Sequence, residues 1–570
     1  MTDIATHAYN WIIEHTSAIH NLLGDATRTA TKVVAASDAS DAAIDRADYV
    51  CDGTADNVQI QLAIDALPTG GGKVELSEGT FVLAAQLYRD IANVTIQGQG
   101  WNTILKRADD TVFADVYTPD SAAILKLVND GWIVKDLAID GNESNNRTDT
   151  EGMGVQVYGG SGNIIENIYA HDCIRDPFNV AWRYGSTYAL RNKIVNCVAE
   201  NSYADHLYYI SGGSDNLISG CIGKGYWTGE AYKISEDTAS GDDRLAERNC
   251  IQNCQLVEAT INPRGIAFQI GAINLLGKTG PDSLSKGNKI LGCFFDTEAL
   301  GVVRPSLIVL PETEIGNCFF NQGYVEFHGA TPFYSELHDS IIRVMNDTAA
   351  TTYVVRVISD KIKIHDNTFF AEMTAAGGVR IIAITEDRVD LNIQGNEIIQ
   401  VGANGVSGFH LSGTSPSLDT SIIKNNKFVN VDDPFINFTG ANTGAVAFDR
   451  NLTSIALDLT GATTDIEVFD ATTPAILVGY TILYSVATGA GGGVNIRVGM
   501  YNVGAALDDD YYDVSTSEAS KAKGYSKDYY ITELTQSVIA AGDTITVGTA
   551  GGKADTGEVI LILQIAEMAD

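Results

Sequence analysis

Four carboxylates and one arginine stand at matching positions along the middle of the 570-residue chain. Each precedes an apolar, strand-like stretch by two residues, and the five are Glu151, Asp176, Asp205, Glu230 and Arg264. If these stretches are adjacent parallel strands, neighbouring members of the column lie ~5 Å apart and alternate members ~10 Å apart. Glycosidases place two carboxyl groups about 5 to 9.5 Å apart, and crowded carboxylates raise one another's pKa. The spacing predicts acid–base chemistry on a sugar, with Asp176, Asp205 and Glu230 as the catalytic residues.

A structural role for the same carboxylates is the alternative. The tripeptide Asp176-Pro-Phe178 recurs as Asp433-Pro-Phe435, which is typical of an Asp that caps a turn through backbone hydrogen bonds. Strand parity also places the carboxylates on the side of the inward residues Phe178 and Val180, unless the turn rotates them outward. Both interpretations stay open at the level of the sequence.

Residues around the column suit the hydroxyl groups and apolar faces of a sugar. Parity counting assigns Asn179, Tyr208 and Lys233 to the outward face, with His206 just before this row. Beside Asp205, His206 is either a structural residue or a general base. The substrate-binding residues predicted in this way are His206, Tyr208, Lys233, Arg264, Trp182 and Trp227.

The strand-like stretches belong to a repeat that is clearest between residues 194 and 318. An apolar residue, a variable one, Asn or Gly, and then Cys recur five times, ending at Cys197, Cys221, Cys254, Cys293 and Cys318. Asn and Gly accept the left-handed backbone of a one-residue bend, and apolar residues alternate after it. The unit therefore reads strand, bend, strand, and such repetition indicates a solenoid.

The same register extends beyond the cysteines in both directions. The Cys position is taken upstream by Val74, Val94, Leu137 and Ile168, and downstream by Asn367, Asn396 and Asn426. The longest interval, 49 residues before Asn367, predicts one hidden rung without the signature. Variable insertions around a fixed strand–bend–strand are typical of a parallel β-helix, whereas the pattern of a leucine-rich repeat is absent.

The composition excludes some partners. A net charge of −35 argues against nucleic acid and anionic membranes, since both select basic faces. Five of the eight cysteines share one interior position, so we expect buried free thiols rather than disulfides or a metal site. No apolar run reaches the ~20 residues of a membrane span, and the N-terminus lacks a signal-peptide pattern. We therefore expect a protein made in the cytoplasm and not exported by a signal peptide.

Three domains are predicted along the chain. Residues 1–48 form a helix (2–23) and a linker, for docking or self-association. Residues 49–450 form the β-helix, and a capping helix at 57–67, with Val58, Leu62, Ile60 and Ala63 inward, covers its first coil. Residues 451–570 lose the rung signature and read as strands between Gly-rich turns, which predicts a C-terminal β-sandwich.

The opening of the repeat region resembles a known superfamily. The matching stretches are Asp52-Gly-Thr-Ala-Asp-Asn57, the helix after it, Gly70-Gly-Gly-Lys-Val74, Glu78-Gly-Thr-Phe81 and Val94-Thr-Ile-Gln-Gly98. They resemble the start of pectate-lyase-superfamily proteins, which include many viral tailspikes and polysaccharide depolymerases. The resemblance implies an all-β fold, a right-handed parallel β-helix. It specifies the fold more than the activity, because the superfamily includes lyases, hydrolases, epimerases and inactive adhesins.

The resemblance also sets the functional expectations. They are a virion-associated, tailspike-like homotrimer that binds and cleaves a host surface polysaccharide, attached to the virion tail or baseplate through its N-terminus. The alternatives are a non-catalytic adhesin or structural fibre, and a free microbial polysaccharide lyase. Lyases of this superfamily commonly use calcium with an Arg or Lys base, a role open to Arg264 or Lys233. No cofactor is required by the residues themselves, and the oxygen-rich loop at 140–149 is either a solvated loop or a calcium (Ca2+) site.

Overall fold

The structure is a computed structural model that describes residues 30–436 with short gaps. The gaps are residues 115–121, 150, 183–188, 237–244, 264–268, 277–284, 302–303, 309, 329–333, 347–351, 374–377, 386–387, 389, 402–405, 413–420, 430 and 432. From residue 437 onward only the backbone of the strands is described, and the helix predicted at 2–23 lies outside the described residues. The chain divides into two compact units, residues 1–255 with 260–269 and residues 256–259 with 270–570.

The first unit consists of parallel strands stacked rung upon rung. Its first sheet contains Thr31–Ala35, Tyr49–Val50, Gly72–Leu76, Gly79–Leu83, Val94–Gln97, Thr103–Arg107, Ile133–Asp140, Ile164–Cys173, Lys193–Val195, Val198–Ser202, Leu217–Ser219, Ile222–Gly225 and Cys250–Gln252. Its second sheet contains one strand per rung: Leu87–Arg89, Ala123–Leu127, Met153–Tyr158, Phe178–Ala181, Tyr208–Ser211 and Gly229–Ser235. A small pair, Ala189–Leu190 with Gly213–Ser214, lies apart from both sheets. The predicted right-handed parallel β-helix is confirmed.

The bend between the paired strands has the left-handed backbone that its residue types predict. The φ angle is +52° at Asn167 and Asn196, +64° at Gly220 and +53° at Asn253. At position 220 a Cβ atom would lie only 2.5 Å from Oδ1 of Asn196 on the preceding rung. Glycine fits both the left-handed angle, which asparagine adopts at the other bends, and the limited space beside Asn196.

Two columns of side chains line the bends and turns of the first unit. Cys197, Cys221 and Cys254 are buried free thiols, as the repeat predicts. A second column, outside the repeat signature, is a ladder of buried asparagines. In it each side-chain amide donates to the side-chain oxygen of the next member, and the members are Asn163, Asn192, Asn216 and Asn249. The ladder satisfies backbone groups at each turn, as buried polar groups require.

Thiol reactivity tests the register of these columns. Cys197, Cys221, Cys254, Cys293 and Cys318 are buried, whereas Cys250 is partly exposed. Burial raises the pKa of Cys221 well above its ordinary value, which suppresses the reactive thiolate. We expect a thiol reagent to modify Cys250 first in the native protein and the five column cysteines only on unfolding. Mass spectrometry after brief labelling checks this, and rapid modification of a column cysteine would contradict the register.

The chain before the first predicted rung differs from the prediction. Thr31–Ala35 is a strand that pairs in parallel with Gly72–Leu76, so the sheet begins inside the predicted linker. A short helix, Asp41–Ile44, follows that strand. Val33, Val34 and Ala35 form a consecutive apolar run that is too short to stand out from an Ala- and Thr-rich linker.

The capping helix spans Asn57–Asp65, and its inward face agrees with the prediction only in part. Ile60, Ala63 and Ile64 are buried, whereas Val58 and Leu62 are about half exposed. Asp56, just before the helix, is buried, and its carboxylate accepts hydrogen bonds from the backbone N–H groups of residues 53 and 82. These contacts tie the start of the helix to the strand at residues 79–83, and the apolar spacing alone does not predict them.

The second unit repeats the same plan. Its first sheet contains Gln255–Ala259, Lys289–Leu291, Phe294–Asp296, Glu314–Gly316, Phe319–Asn321, Ser335–His338, Ile341–Asn346, Ile362–His365, Thr368–Met373, Asn392–Gln394, Glu397–Val401, Ile422–Lys424, Lys427–Val429 and Ala447–Phe448. Its second sheet contains Gln269–Leu276, Arg304–Ile308, Gly323–Phe327, Thr352–Val357, Val379–Thr385, Val406–Ser412 and Asp433–Ile436. Single 3₁₀ turns lie at Glu143–Asn145 in the first unit and at Glu298–Leu300 in this one.

The hidden rung predicted before Asn367 is present. Asp339 makes the left-handed bend with a φ of +48°, and Ser340 takes the cysteine position. Its hydroxyl is buried and accepts the backbone N–H of Cys318 at 3.1 Å. Further along, Asn367 donates to Asn396, and Asn396 to Asn426, at 3.0 and 2.8 Å. A buried amide ladder thus replaces the thiols in these rungs.

The C-terminal strands are antiparallel rather than parallel. Thr453–Asp458, Glu558–Glu567, Ala475–Tyr484 and Ser526–Tyr530 pair in that order, and Val538–Ile539 also pairs with Ala475–Tyr484. A second sheet orders Ile466–Asp470, Thr544–Ala550 and Asn495–Tyr501. The predicted sandwich packing of these sheets stays a prediction. In the part of the chain that the structure describes, no helix is long and apolar enough to cross a membrane.

Candidate active site

The candidate site lies at the second sheet of the first unit. Strand register aligns Phe178 with Tyr208 and Tyr232, and the three rings stack in the interior with centroids 5.2 and 4.8 Å apart. Tyr208 is fully buried, and its hydroxyl lies 3.0 and 2.8 Å from two backbone carbonyl oxygens. The prediction that Tyr208 contacts substrate is therefore wrong by one residue. Tyr209 takes the outward position, in register with Asn179 and Lys233.

The strand register that replaces Tyr208 by Tyr209 on the outward face also changes the membership of the predicted carboxylate column. Counting two residues back from the aligned rings brings Asp176, His206 and Glu230 into one column. The histidine thus occupies the place predicted for Asp205, which lies one residue earlier in the turn. Close contacts around the imidazole confirm that these side chains come together.

His206 is the centre of the resulting polar cluster. Its Nδ1 lies 2.5 Å from Oδ1 of Asp205 and 3.3 Å from Oδ1 of Asp176. Its Nε2 lies 3.4 Å from Oε2 of Glu230 and 3.2 Å from Nζ of Lys233. We call these five residues the His206 cluster. Both ring nitrogens therefore face groups that can take or supply a proton.

Asp176 holds the histidine from inside the coil. It is fully buried, and one carboxylate oxygen accepts the backbone N–H of His206 at 3.0 Å. The other oxygen accepts the side-chain amide of Asn179 at 2.8 Å, and Asn179 in turn accepts Gln156 at 3.2 Å. Because a fully buried carboxylate cannot touch a polymer, Asp176 can act on a substrate only through His206.

Asp205 connects the cluster to Arg175. The guanidinium donates to Oδ2 of Asp205 through Nε at 2.9 Å and Nη2 at 2.6 Å, while Oδ1 faces His206. Nη1 of Arg175 lies 3.1 Å from Glu151. Val155 pairs with Phe178 in the neighbouring strand, so the residue level with Asp176 is Met153 and Glu151 lies two positions before it. Glu151 therefore meets the cluster through Arg175 rather than as a member of a carboxylate column.

The charges of these neighbours set the protonation of the site. Burial by itself would lower the pKa of His206, but the charge of Asp205 and hydrogen bonds to the three carboxylates raise that pKa well above its ordinary value. For Asp205, burial would raise the pKa, yet the positive charges of His206 and Arg175 bring it far below the usual range. The site thus pairs an imidazolium with an ionised carboxylate near neutral pH. Nε2 faces both Glu230 and Nζ of Lys233, so its proton lies between an acceptor and a second cation.

Part of the cluster is exposed to solvent. The side chains of Arg175, Lys233 and Asp205 are 26%, 18% and 16% exposed, and that of His206 is 7% exposed. The ring of Tyr209 lies 4.8 Å from the imidazole and 5.3 Å from Nζ of Lys233. A ligand on this face would meet two cations, one carboxylate and an aromatic ring before the imidazole edge.

Two other predicted substrate-binding residues are buried, and a third is not among the described residues. Trp227 is fully buried and Trp182 is buried, so neither indole is available as an open platform for a sugar. Arg264 lies outside the described residues. Bulky aromatic residues beside a turn are as well suited to the core as to a ligand, and only packing separates the two roles.

The oxygen-rich loop at 140–149 is held together by its own amides. Asn142 donates to the carboxylate of Asp109 at 2.7 Å, and Asn145 donates to the same carboxylate at 3.0 Å. Asn146 donates to two backbone carbonyls and accepts the N–H of Thr111. These contacts order the loop, and calcium binding by it stays a prediction.

Among the described residues, two groups of side chains have the types and proximity to hold a metal ion. Ligand atoms of Asp176, Asp205 and His206 lie within 4.8 Å of one another, as do those of a group at 140, 171 and 172. In the first group the imidazole nitrogen and carboxylates are already paired with each other and with Arg175. The arrangement therefore fits proton transfer better than cation binding.

Comparison with known structures finds similar folds at low sequence identity. The tailspike protein gp49 of Pseudomonas phage LKA1 aligns with a TM-score of 0.50 and 10% identity, over 90% of this chain and 92% of that one. The tailspike gp49 of Acinetobacter baumannii bacteriophage Fri1, a capsular polysaccharide depolymerase, aligns with a TM-score of 0.39 and 12% identity, over 94% and 84%. The A-module of Azotobacter vinelandii mannuronan C-5 epimerase AlgE4 aligns with a TM-score of 0.45 and 16% identity, over 70% and 96%. No family model and no curated protein sequence matches the chain. On its strand topology and the LKA1 likeness, the chain has the parallel β-helix fold found in a phage tailspike.

Proposed function

We propose that the first unit binds a polysaccharide along the outward face of its second sheet and cleaves it by proton transfer at the His206 cluster. The observation that carries the proposal is the imidazole of His206, which has two carboxylates at Nδ1 and both an acceptor and a donor at Nε2. A structural histidine needs one partner at each nitrogen. A ring poised between a proton donor and a proton acceptor suits general acid–base catalysis.

The three carboxylates predicted as catalytic act on His206 in this proposal. Asp176 fixes the ring position from the interior, and Asp205 stabilises the imidazolium. Glu230 shares Nε2 with Lys233 and so controls where the proton rests. Asp176, Asp205 and Glu230 are thus positioning and charge-stabilising residues, and His206 is the group that transfers the proton.

The proton balance of cleavage is the same for two routes. The imidazolium gives its Nε2 proton to the glycosidic oxygen while the bond from that oxygen to the sugar carbon breaks. In a hydrolysis, the water that adds to the sugar returns a proton to the imidazole. In an elimination, the returning proton comes from the sugar carbon that loses its hydrogen. The products distinguish the routes, since only elimination creates an unsaturated uronate.

The exposed neighbours of His206 would bind the polymer. Lys233 and Arg175 offer donors to hydroxyl or acidic groups, and Tyr209 offers an aromatic face. The β-helix fold shared with a phage tailspike agrees with a virion-associated role. The homotrimer, the attachment through the N-terminus and the independence from a cofactor stay predictions.

The test is a panel of bacterial surface polysaccharides and uronate polymers incubated with the full chain. We expect at least one polymer to shorten, followed by new reducing ends and by the ultraviolet absorbance of unsaturated uronates. Binding of a polymer without either product would favour the rival proposal, a non-catalytic adhesin. Neither binding nor product across the panel would remove the polysaccharide as ligand.

A further inference from the structure

A second polar cluster lies in the second unit, on the outward side of its second sheet. Strand register places Glu326 beside Arg356, and then Ala383 and His410 in the same row. Tyr353 and Arg380 are paired in the neighbouring row. We call Tyr353, Arg356, Arg380 and His410 the arginine cluster.

Two guanidinium groups share one aromatic ring in this cluster. The centre of the Arg356 guanidinium lies 5.2 Å from the ring centroid of Tyr353, and that of Arg380 lies 5.9 Å from it. Nη1 of Arg356 also meets Glu326 at 3.0 Å. Within the described part of the chain, no carboxylate pairs with Arg380. Among these residues, the contact of Arg380 is therefore the ring of Tyr353 rather than a carboxylate.

Two buried nitrogens of the cluster have no hydrogen-bond partner among the described residues. They are Nδ1 of His410 and Nε of Arg356. His410 is only 5% exposed, and burial together with the charge of Arg380 lowers its pKa to about 4, so its ring is neutral at physiological pH. Buried polar groups are almost always hydrogen-bonded, since each unmet group destabilises the fold. Unmet nitrogens beside two cations indicate a site for an anionic ligand that also carries hydrogen-bonding groups.

We propose that the arginine cluster binds an acidic sugar residue, with its carboxylate between Arg356 and Arg380. Guanidinium groups bind carboxylates through paired hydrogen bonds, and tyrosine rings pack on the apolar faces of sugars. His410 then meets a hydroxyl group of the same sugar through Nδ1. The side chain of Arg356, 32% exposed, opens the cluster to solvent. The inference rests on the proposed polysaccharide ligand but not on its cleavage.

The spacing of the cluster favours a sugar over a small inorganic anion. Ala383 separates Arg356 from His410 in the row, so their backbones lie about 10 Å apart, which is two strand spacings. A phosphate bound between the two arginines would leave Nδ1 of His410 without a hydrogen-bond partner among the described residues. A uronic acid has a carboxylate for the guanidinium groups and ring hydroxyls that extend toward the imidazole.

Calorimetry on the full chain tests the assignment, in the His206→Gln background so that no cleavage consumes the probe. The probes are tetrasaccharides of galacturonate, mannuronate and guluronate, their methyl esters, and inorganic phosphate. We expect at least one tetrauronate to bind and its ester to bind ~10-fold or more weakly, because the ester lacks the charge. Arg380→Gln and His410→Gln should each weaken that binding by ~10-fold. Lys363→Gln is the matched control, since it removes a cation that lies over Tyr334 in the same unit.

Three results would overturn the inference. They are equal affinity for acid and ester, binding unchanged by both substitutions, and binding of phosphate with no uronate bound. If Arg380→Gln lowers the melting temperature, Arg380→Lys replaces it as the test variant, because lysine keeps the positive charge. The affinity of Arg380→Lys for the tetrauronate should fall between those of the parent and Arg380→Gln. Uronate binding here without cleavage of any polymer would leave the arginine cluster in place and reject only the catalytic proposal.

Discussion

His206→Gln should lower the rate of polysaccharide cleavage by about 10²–10⁴-fold, the usual contribution of a general acid–base residue. Glutamine keeps a polar side chain of similar length beside Asp205 and Glu230 but cannot carry a transferable proton at neutral pH. Turnover on the responsive polymer of the panel measures the effect, and circular dichroism checks that the β-helix is intact. We expect polymer binding to change much less than turnover, because Arg175 and Lys233 provide the exposed contacts.

The control for this substitution is His171→Gln. His171 lies on the first sheet of the same unit, where its Nδ1 meets Asp172 at 2.9 Å, so it matches His206 in type and in having an acidic partner. Turnover should be unchanged in the control. If His206→Gln retained more than a tenth of the parent rate, proton transfer would have to be assigned elsewhere.

The pH dependence follows from the direction of the pKa shift at His206. The folded protein raises this pKa, so the stability that the imidazolium contributes is complete below its unfolded value of ~6.5 and is lost as pH rises through the folded value. Cleavage by the imidazolium should decline over that same alkaline range. The negative charge of Asp205 is the largest cause that raises the pKa of His206. Asp205→Asn removes this charge and lowers that pKa, so the alkaline limb of the pH–rate profile should move to lower pH. If Asp205 had only a structural role, the alkaline limb of the pH–rate profile would lie at the same pH in Asp205→Asn and in the parent protein.

Asn216→Ala should lower the free energy of unfolding of the first unit by about 3 kcal/mol, because it leaves buried polar groups without partners. The Asn216 side chain accepts the backbone N–H of Asn192 at 2.9 Å and donates to the backbone carbonyl of Ala189 at 3.0 Å. It also donates to Asn249 at 3.0 Å. The substitution interrupts the asparagine ladder in its middle, and chemical denaturation measures the loss.

An exposed asparagine provides the comparison for the ladder. Asn102 lies at the surface of the same unit, and Asn102→Ala should change the free energy of unfolding by no more than about 0.5 kcal/mol. Equal shifts for the two variants would mean that the ladder adds nothing beyond an ordinary surface amide. A large shift for Asn216→Ala alone would make the ladder a main determinant of turn stability in this unit.

Local chemistry explains what the sequence could predict. A left-handed bend needs Asn, Asp or Gly whatever surrounds it, so Asn167, Asn196 and Gly220 could be recognised from residue type alone. Apolar alternation after each bend identifies the buried side of a strand, which placed Cys197 and Cys221 correctly. The rung at Ser340 lacks the repeat signature, but it could be inferred from the 49-residue interval between Cys318 and Asn367. Each rung of a solenoid stacks on the one before it, so an interval of that length must contain another rung.

Only the tertiary structure decided the faces of the strands and the chemistry of the site. Asp172 and Asn201 make left-handed bends before the second-sheet strands of two successive rungs. Phe178 lies six positions after Asp172, whereas its strand partner Tyr208 lies seven positions after Asn201. The one extra residue reverses which side chain of the second strand points outward. Leu207 and Tyr208 are both apolar enough for the interior, so spacing could not choose between them. The contacts of His206 depend on that choice, because neighbouring rungs bring Asp176 and Glu230 to it from 30 and 24 residues away in the chain. The arginine cluster is likewise assembled from separate rungs, and no local pattern connects Arg356 with His410.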